Sequence, residues 1–146
     1  MKSIRIKDEN DLKKALNIRK EVFVKEQGVP EENEYDAYDN LNGECEHILV
    51  YCRNQPVGTG RFRVVDNVGK LERICVLESY RKYGIGKAIV KALEEVALEK
   101  GITKLKLHAQ KQAIGFYEKL CYHSVSDEFL EENIPHVLMI KNLDDV

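Results

Sequence analysis

The segment Arg81-Lys82-Tyr83-Gly84-Ile85-Gly86 constrains this chain more than any other. It lies between an apolar, strand-like run, Leu71 to Leu77, and a strongly amphipathic helical pattern, Gly84 to Lys100. Glycine has no Cβ to block positive φ, so two glycines at the junction let the backbone turn tightly and present its N–H groups. The helix that follows aims its positive dipole end at the same place. Such a construction binds phosphate, and Arg81 and Lys82 add positive charge beside it. The segment therefore predicts a strand–turn–helix unit that holds a pyrophosphate.

Three phosphate loops share this outline. A Walker loop needs a glycine, four residues, then Gly-Lys-Ser/Thr. Here Gly86-Lys87 is followed by Ala88, so the magnesium-binding hydroxyl is missing, and Arg81 stands in place of the leading glycine. A dinucleotide fingerprint needs Gly-x-Gly-x-x-Gly. Ile89 fills its third position and is too bulky for close helix–strand contact. The third pattern, Gln/Arg-x-x-Gly-x-Gly/Ala, is met by Arg81, Gly84 and Gly86. Taken alone, six residues with three fixed positions also fit an ordinary βα turn.

The rest of the chain narrows the choice. A length of 146 residues suits a single domain spanning 1–146, and 43% hydrophobic residues suffice for a core. A net charge of −2 gives no footprint for DNA or RNA. No stretch approaches the ~18 apolar residues of a membrane span, and the N-terminus lacks the apolar core of a signal peptide. Cys45, Cys52, Cys75 and Cys121 have no C-x-x-C spacing and are expected as reduced, mostly buried thiols in a cytoplasmic protein. No His/Cys/Asp cluster has metal-ligand spacing, so no metal is expected.

Hydrophobic periodicity gives the order β-α-(α)-β-β-β-α-β-α-β-β. Ser3 to Ile6 is a strand. Asp8 caps a helix running to about Glu26, with an apolar stripe through Leu12, Ala15, Leu16, Ile18, Val22 and Phe23. An acidic loop follows from Glu31 to Glu44, with room for one short helix. Glu46–Arg53, Val57–Val65 and Lys70–Leu77 form a meander, joined by turns at Asn54-Gln55-Pro56 and Asp66-Asn67-Val68-Gly69. The helix from Gly84 ends at Gly101 as a C′ glycine. Thr103–His108 is a strand, Gln110–Leu120 a short helix, and Tyr122–Leu130 with Ile134–Lys141 a last hairpin. An antiparallel meander feeding one βαβ crossover makes an α/β (α+β) mixed sheet with helices on both faces.

This order and three segments resemble the GNAT superfamily of acyl-CoA-dependent N-acetyltransferases over nearly the whole chain. The first segment is the loop Arg81-x-x-Gly84-x-Gly86. The second is Ala113-Ile114-Gly115-Phe116-Tyr117-Glu118-Lys119-Leu120-Cys121-Tyr122, similar to A-x-x-F-Y-x-K-x-G-F with Cys121 in place of the glycine. The third is Arg19 to Pro30 followed by Glu34, Asp36, Asp39 and His47, which resembles the ElaA/YjcF-like bacterial branch. The resemblance implies acetyl-CoA as co-substrate, an amine-bearing small molecule or peptide as acceptor, direct attack in a ternary complex, and a fold whose members often dimerise through their last strands. It leaves open whether the acyl group is acetyl or longer.

The resemblance also implies roles. The loop, Arg81, Lys82, Tyr83, Gly84, Ile85 and Gly86, would hold the coenzyme A pyrophosphate. The strand before it would bulge and splay, so that the main chain of Ile74, Cys75 and Val76 pairs with the pantetheine arm. Gln110 stands where many members carry an asparagine that bonds this arm, and Phe116 flanks the cofactor beside Tyr117. Tyr117 is the candidate acid for the leaving thiolate, since a tyrosine is protonated at neutral pH.

Two residues compete as base. Glu72, two residues from Ile74 and four from Val76, is expected on their strand face. Its other reading is a surface salt bridge to Arg63 or Arg73. His108 ends the next strand, at the carboxyl edge where ligands gather. His47 and His136 are weaker candidates. The acids of the Glu31–Glu44 loop read either as a solvated surface or as a wall favouring a cationic acceptor. Cys75 lacks an adjacent base for covalent catalysis. The rival readings are a non-catalytic acyl-CoA-binding module and a structural domain with no ligand.

Overall fold

The computed structural model describes residues 1–144. Its order is β1 (Lys2–Arg5), α1 (Glu9–Arg19) continuing into a π-helical stretch (Lys20–Glu26), α2 (Glu31–Glu34), β2 (Glu46–Cys52), β3 (Gln55–Val65), β4 (Val68–Val76), α3 (Ile85–Glu99), β5 (Lys104–Gln110), α4 (Ile114–Lys119), β6 (His123–Ser124), β7 (Phe129–Glu131) and β8 (Ile134–Asn142). The strands form one mixed sheet in the order β1-β2-β3-β4-β5-β8-β6, with β7 also on β8. Only β4 and β5 are parallel, as the βαβ crossover through α3 requires.

Tight turns set the register. Arg53-Asn54, Asp66-Asn67 and Glu132-Asn133 all have positive φ at both positions, the conformation whose twist matches that of a hairpin. The first turn therefore falls on Arg53-Asn54, and Gln55 already belongs to β3. The last hairpin departs from expectation more strongly. Tyr122–Leu130 is not one strand but two short pieces, because the Leu138 N–H donates to Ser126 Oγ at 2.9 Å instead of to a ladder carbonyl.

Helices cover both faces. On one, Leu12, Ala15, Ile18 and Val22 pack on Leu49 and Cys75. On the other, Ile85, Ile89, Val90, Leu93 and Val96 of α3 pack on Ile48, Val50, Phe62, Leu71, Leu105 and Leu107. Each such side chain contributes roughly 1.5–3 kcal/mol on burial, so this stripe holds α3 in place. The helix lies close because β3 offers it two bare positions, Gly58 and Gly60. A Cβ at Gly58 would stand 2.8 Å from Ile85 Cγ2, and one at Gly60 would stand 2.6 Å from Ile89 Cγ2.

Two local irregularities shape the molecule's functional end. The first helix widens over Lys20–Glu26, where the Gln27 N–H reaches back five residues to the Val22 carbonyl at 3.0 Å, and Gly28 at φ 79 ends it. In β4 the register slips between the rungs Arg61↔Glu72 and Thr59↔Cys75, with Arg73 at φ 57. This β-bulge places one extra residue in β4 and reverses the alternation beyond it. Of the four cysteines, Cys45 and Cys75 are buried, Cys52 is half-buried and Cys121 is exposed at φ 72.

Candidate active site

The sheet opens where β4 and β5 part. They pair only over Gly69↔Leu105, Lys70↔Lys106 and Leu71↔Leu107. Beyond that last rung the bulge turns β4 away, and the strands bound a cleft of about 820 Å³. The π-helical stretch, the Arg81–Gly86 loop, α4 and the β7–β8 hairpin form its other walls. Of the candidate residues, Tyr83 and the weaker candidate His47 alone do not line it; Tyr83 is exposed and tilts against Tyr80.

The loop has the geometry of an anion cradle. Gly84 adopts φ 77 and caps α3 without any side-chain hydrogen bond, so the first N–H groups of the helix lack intrahelical partners. Lys82 also has positive φ, at 84, which turns successive N–H groups to one side. A Cβ at Gly86 would meet the Phe116 ring at 3.1 Å, so a side chain there would press that ring away from the helix start. Arg81 has a different task from the added charge expected of it. Its guanidinium forks onto Glu26 with two bonds of 2.6 Å, and its Nε donates to the Val76 carbonyl at 3.0 Å. It thereby ties the loop to the π-helical stretch and to β4.

Facing the loop, Tyr117 is buried within a run of aromatic rings, its ring 5.0 Å from Phe116 and 5.9 Å from Tyr122. Burial, then the neighbouring Cys75, pushes its hydroxyl well above the ordinary tyrosine value, so it is protonated throughout the neutral range. Burial likewise pushes the Cys75 thiol far up, which leaves no thiolate for covalent catalysis. Gln110 shares a reciprocal amide pair with Gln27 across the cleft, at 2.8 and 3.3 Å.

Glu72 departs from its expected position. The bulge at Arg73 separates it from Ile74 and Val76, which face α3, and leaves it on the opposite face with Cys75. There its carboxylate accepts from Arg61 Nε at 3.0 Å and Arg63 Nε at 3.0 Å, with Lys70 Nζ at 3.5 Å. Burial acts to raise its pKa, but the Arg63 hydrogen bond and the charges of Arg61 and Lys70 hold it below the ordinary carboxylate value. A carboxylate saturated by cations is a poor proton acceptor.

Three acids of the acidic loop, Glu34, Asp36 and Asp39, are drawn into the same network. Arg19 and Arg61, each 2% exposed, bind Glu34 and Asp39, and Asp36 and Asp39, respectively. Arg73 adds a bond to Glu34 at 3.1 Å. Burial favours protonation of Asp39, yet the hydrogen bond and charge of Arg19 hold it at about 2. His47 lies under this network, away from the cleft, and its buried Nε2 has no partner among the described residues. Burial lowers its pKa.

His108 is the first β5 residue beyond the last β4–β5 rung, level with Glu72. Its ring meets Phe129 edge-on at 5.1 Å, and its Nδ1 lies 2.9 Å from Glu131 Oε1. His136 lines the same end of the cleft. Glu131 and Gln27 carried no sequence signal as site residues. In the sequence, Glu131 falls between the two strands of the expected last hairpin and Gln27 just past the end of the expected first helix. Among the described residues no group of three or more His, Cys, Asp and Glu is placed to hold a metal ion, and no helix is long and apolar enough to cross a membrane.

Known proteins share this architecture. The profile of the acetyltransferase (GNAT) domain matches residues 7–143. YyaT of Bacillus subtilis is 58% identical over 139 residues, 95% of this chain and 94% of that protein. YjcF of the same organism, an N-acetyltransferase by name, is 50% identical over 97% of this chain and 100% of its own length. The crystal structure of Escherichia coli ElaA superposes with a TM-score of 0.85 at 25% identity, covering 97% of this chain and 100% of that one. An aminoglycoside 6′-N-acetyltransferase crystallised with coenzyme A shares the fold, with a TM-score of 0.81 at 16% identity over 98% of this chain and 97% of that one. The family profile and these relatives each cover nearly the whole chain, and the chain belongs to the GNAT family of acetyltransferases.

Proposed function

We propose that this protein transfers an acetyl group from acetyl-CoA to a primary amine of a small molecule or peptide, by direct attack in a ternary complex. The observation that carries this reading is the parting of β4 and β5 next to the N–H-rich start of α3, with Tyr117 and His108 both on the walls of the one cleft. The loop from Lys82 to Gly86 would hold the pyrophosphate through backbone N–H groups, with Arg81 bracing it from behind. The main chain of Ile74 to Val76 would align the pantetheine arm along β4, beside Gln110 and Phe116.

A free ammonium cannot attack a thioester, so the site must accept a proton from the acceptor and return one to the leaving sulfur. We assign the first task to His108, whose imidazole lies open to the cleft, in preference to the ion-paired Glu72. Tyr117, kept protonated by burial, donates its hydroxyl proton to the thiolate and regains one from solvent. Reduced cysteines and an acetyl-CoA co-substrate fit a cytoplasmic location.

The test follows free thiol release from acetyl-CoA with a panel of amines: amino acids, amino sugars, polyamines and peptides with a free lysine or N-terminus. Turnover with one class, and intersecting initial-rate lines when both substrates vary, is expected of a ternary complex. Parallel lines would indicate a covalent acyl-enzyme instead. Tight coenzyme A binding with no turnover across the panel would favour a non-catalytic binding module.

A further inference from the structure

The hairpin between β7 and β8 delivers a carboxylate to the proposed base. Glu131 pairs with Ile134 across a two-residue turn, so a tight hairpin fixes its place. Asn33 at the end of α2 donates to Glu132 Oε2 at 3.3 Å and ties the turn to the layer across the cleft. Glu131 lies between two imidazoles and hydrogen-bonds one of them. Its Oε1 is 2.9 Å from His108 Nδ1, whereas its Oε2 is 3.6 Å from His136 Nε2. His136 is already committed through Nδ1, which lies 2.6 Å from the Ile134 carbonyl.

An ionised carboxylate only accepts hydrogen bonds. His108 Nδ1 therefore carries the proton, and the lone pair of the neutral ring is on Nε2. The hydrogen bond from His108 is the main reason that Glu131 titrates below its ordinary value, which keeps it ionised at neutral pH. The Phe129 edge at 5.1 Å holds the plane of the same ring.

We infer that Glu131 is the positioning residue for His108: it fixes the Nδ1–H tautomer, orients the ring, and stabilises the imidazolium formed when Nε2 takes a proton from the acceptor amine. This inference rests on the reading of His108 as the base. The proton balance is closed. Nε2 first takes the proton that turns the acceptor ammonium into the free amine and passes it to water; a second N–H bond then breaks as the N–acyl bond forms, Nε2 gains that proton as well, and Glu131 stays ionised throughout. The imidazolium later releases the proton to water, while Tyr117 supplies the separate proton that the leaving sulfur needs.

Two measurements test it. Long-range ¹H–¹⁵N spectra of histidine-labelled protein read the tautomer of His108 with no acceptor present. The Nδ1–H form is expected in the wild type and in Glu131→Gln, whose amide oxygen still accepts, and its loss is expected in Glu131→Ala. An unchanged tautomer in Glu131→Ala overturns the inference. The second is thiol release with the fastest amine of the panel. Glu131→Gln should lower kcat/KM by about 10- to 100-fold at neutral pH, the worth of one hydrogen bond to a charged group.

The acid limb of its pH profile should move to lower pH, because the imidazolium loses its counter-charge. Adding Glu131→Gln to His108→Gln should cost nothing further. Additive losses on an unmoved profile overturn the positioning role and leave His108 as the base. A His108→Gln enzyme as fast as the wild type removes the base itself, so the two failures are distinct.

Discussion

Replacing Glu72 with glutamine separates an ion-network role from a catalytic one. The carboxylate is 9% exposed and accepts from Arg61 at 2.8 and 3.0 Å and from Arg63 at 3.0 Å. Arg61 is 2% exposed. Removing one partner of a buried ion pair costs about 3–5 kcal/mol. Here Arg61 keeps Asp36 and Asp39, and the amide oxygen still accepts one bond, so the expected loss is about 2–3 kcal/mol. At about 3 °C per kcal/mol for a chain of this size, Tm falls by roughly 6–9 °C.

The effect has a pH signature. Glu72 titrates lower folded than unfolded, so its stabilisation is present above the ordinary carboxylate pKa and is lost as pH falls through the folded value. Thermal melts of both proteins at neutral pH and at about pH 3 should therefore show a gap that narrows on acidification. The pH–rate profile of thiol release should keep its shape. A Glu72→Gln protein that melts like the wild type but loses the acid limb of kcat/KM would refute this reasoning and return the base to Glu72.

Three further outcomes are expected. Gly84→Val forces a β-branched residue into φ 77 with no steric clash nearer than Met1 Cε at 4.0 Å, a strain of about 1–3 kcal/mol confined to the loop. Calorimetry should show a folded protein with coenzyme A affinity reduced at least tenfold, and unchanged affinity would move the pyrophosphate elsewhere. Tyr117→Phe keeps the edge-to-face ring contacts and removes the donor, so kcat should drop by about 10²–10⁴ while coenzyme A binding persists. Near-native kcat in an assay limited by chemistry would assign Tyr117 to packing. Gly60→Ala sets a methyl against Ile89 and Leu93, an overpacking of about 1–3 kcal/mol readable as a lower urea midpoint.

The parts of the fold that obey a period were legible. The α3 stripe, the meander and the order of elements follow from spacings of 3.6 and 2 residues, and Gly84 and Gly86 marked the loop. What spacing could not carry was any break in the period. The bulge at Arg73 has no glycine to announce it, and it alone moved Glu72 to the other face from Ile74 and Val76. The helix through Lys20–Glu26 has an unbroken apolar pattern, yet it widens into a π-helical stretch that sends Glu26 to Arg81. Long-range polar pairing was equally hidden. Nothing local in Asp36 or Asp39 distinguishes a solvated loop from a partner of Arg61, and Glu131 meets His108 only because β7 folds back along β8.

The two glycines beneath α3 also have a mechanical meaning. The helix is a lever about 22 Å long, and Gly58 and Gly60 are its seat, at the end that carries Ile85 and the loop. Any side chain inserted there acts as a shim. It lifts the rod near its working tip and rotates the whole row of N–H groups out of aim, although the change lies on a neighbouring strand and alters no charge. On the proposed reading of the loop, cofactor affinity would respond to a change on β3 no thicker than a single methyl group.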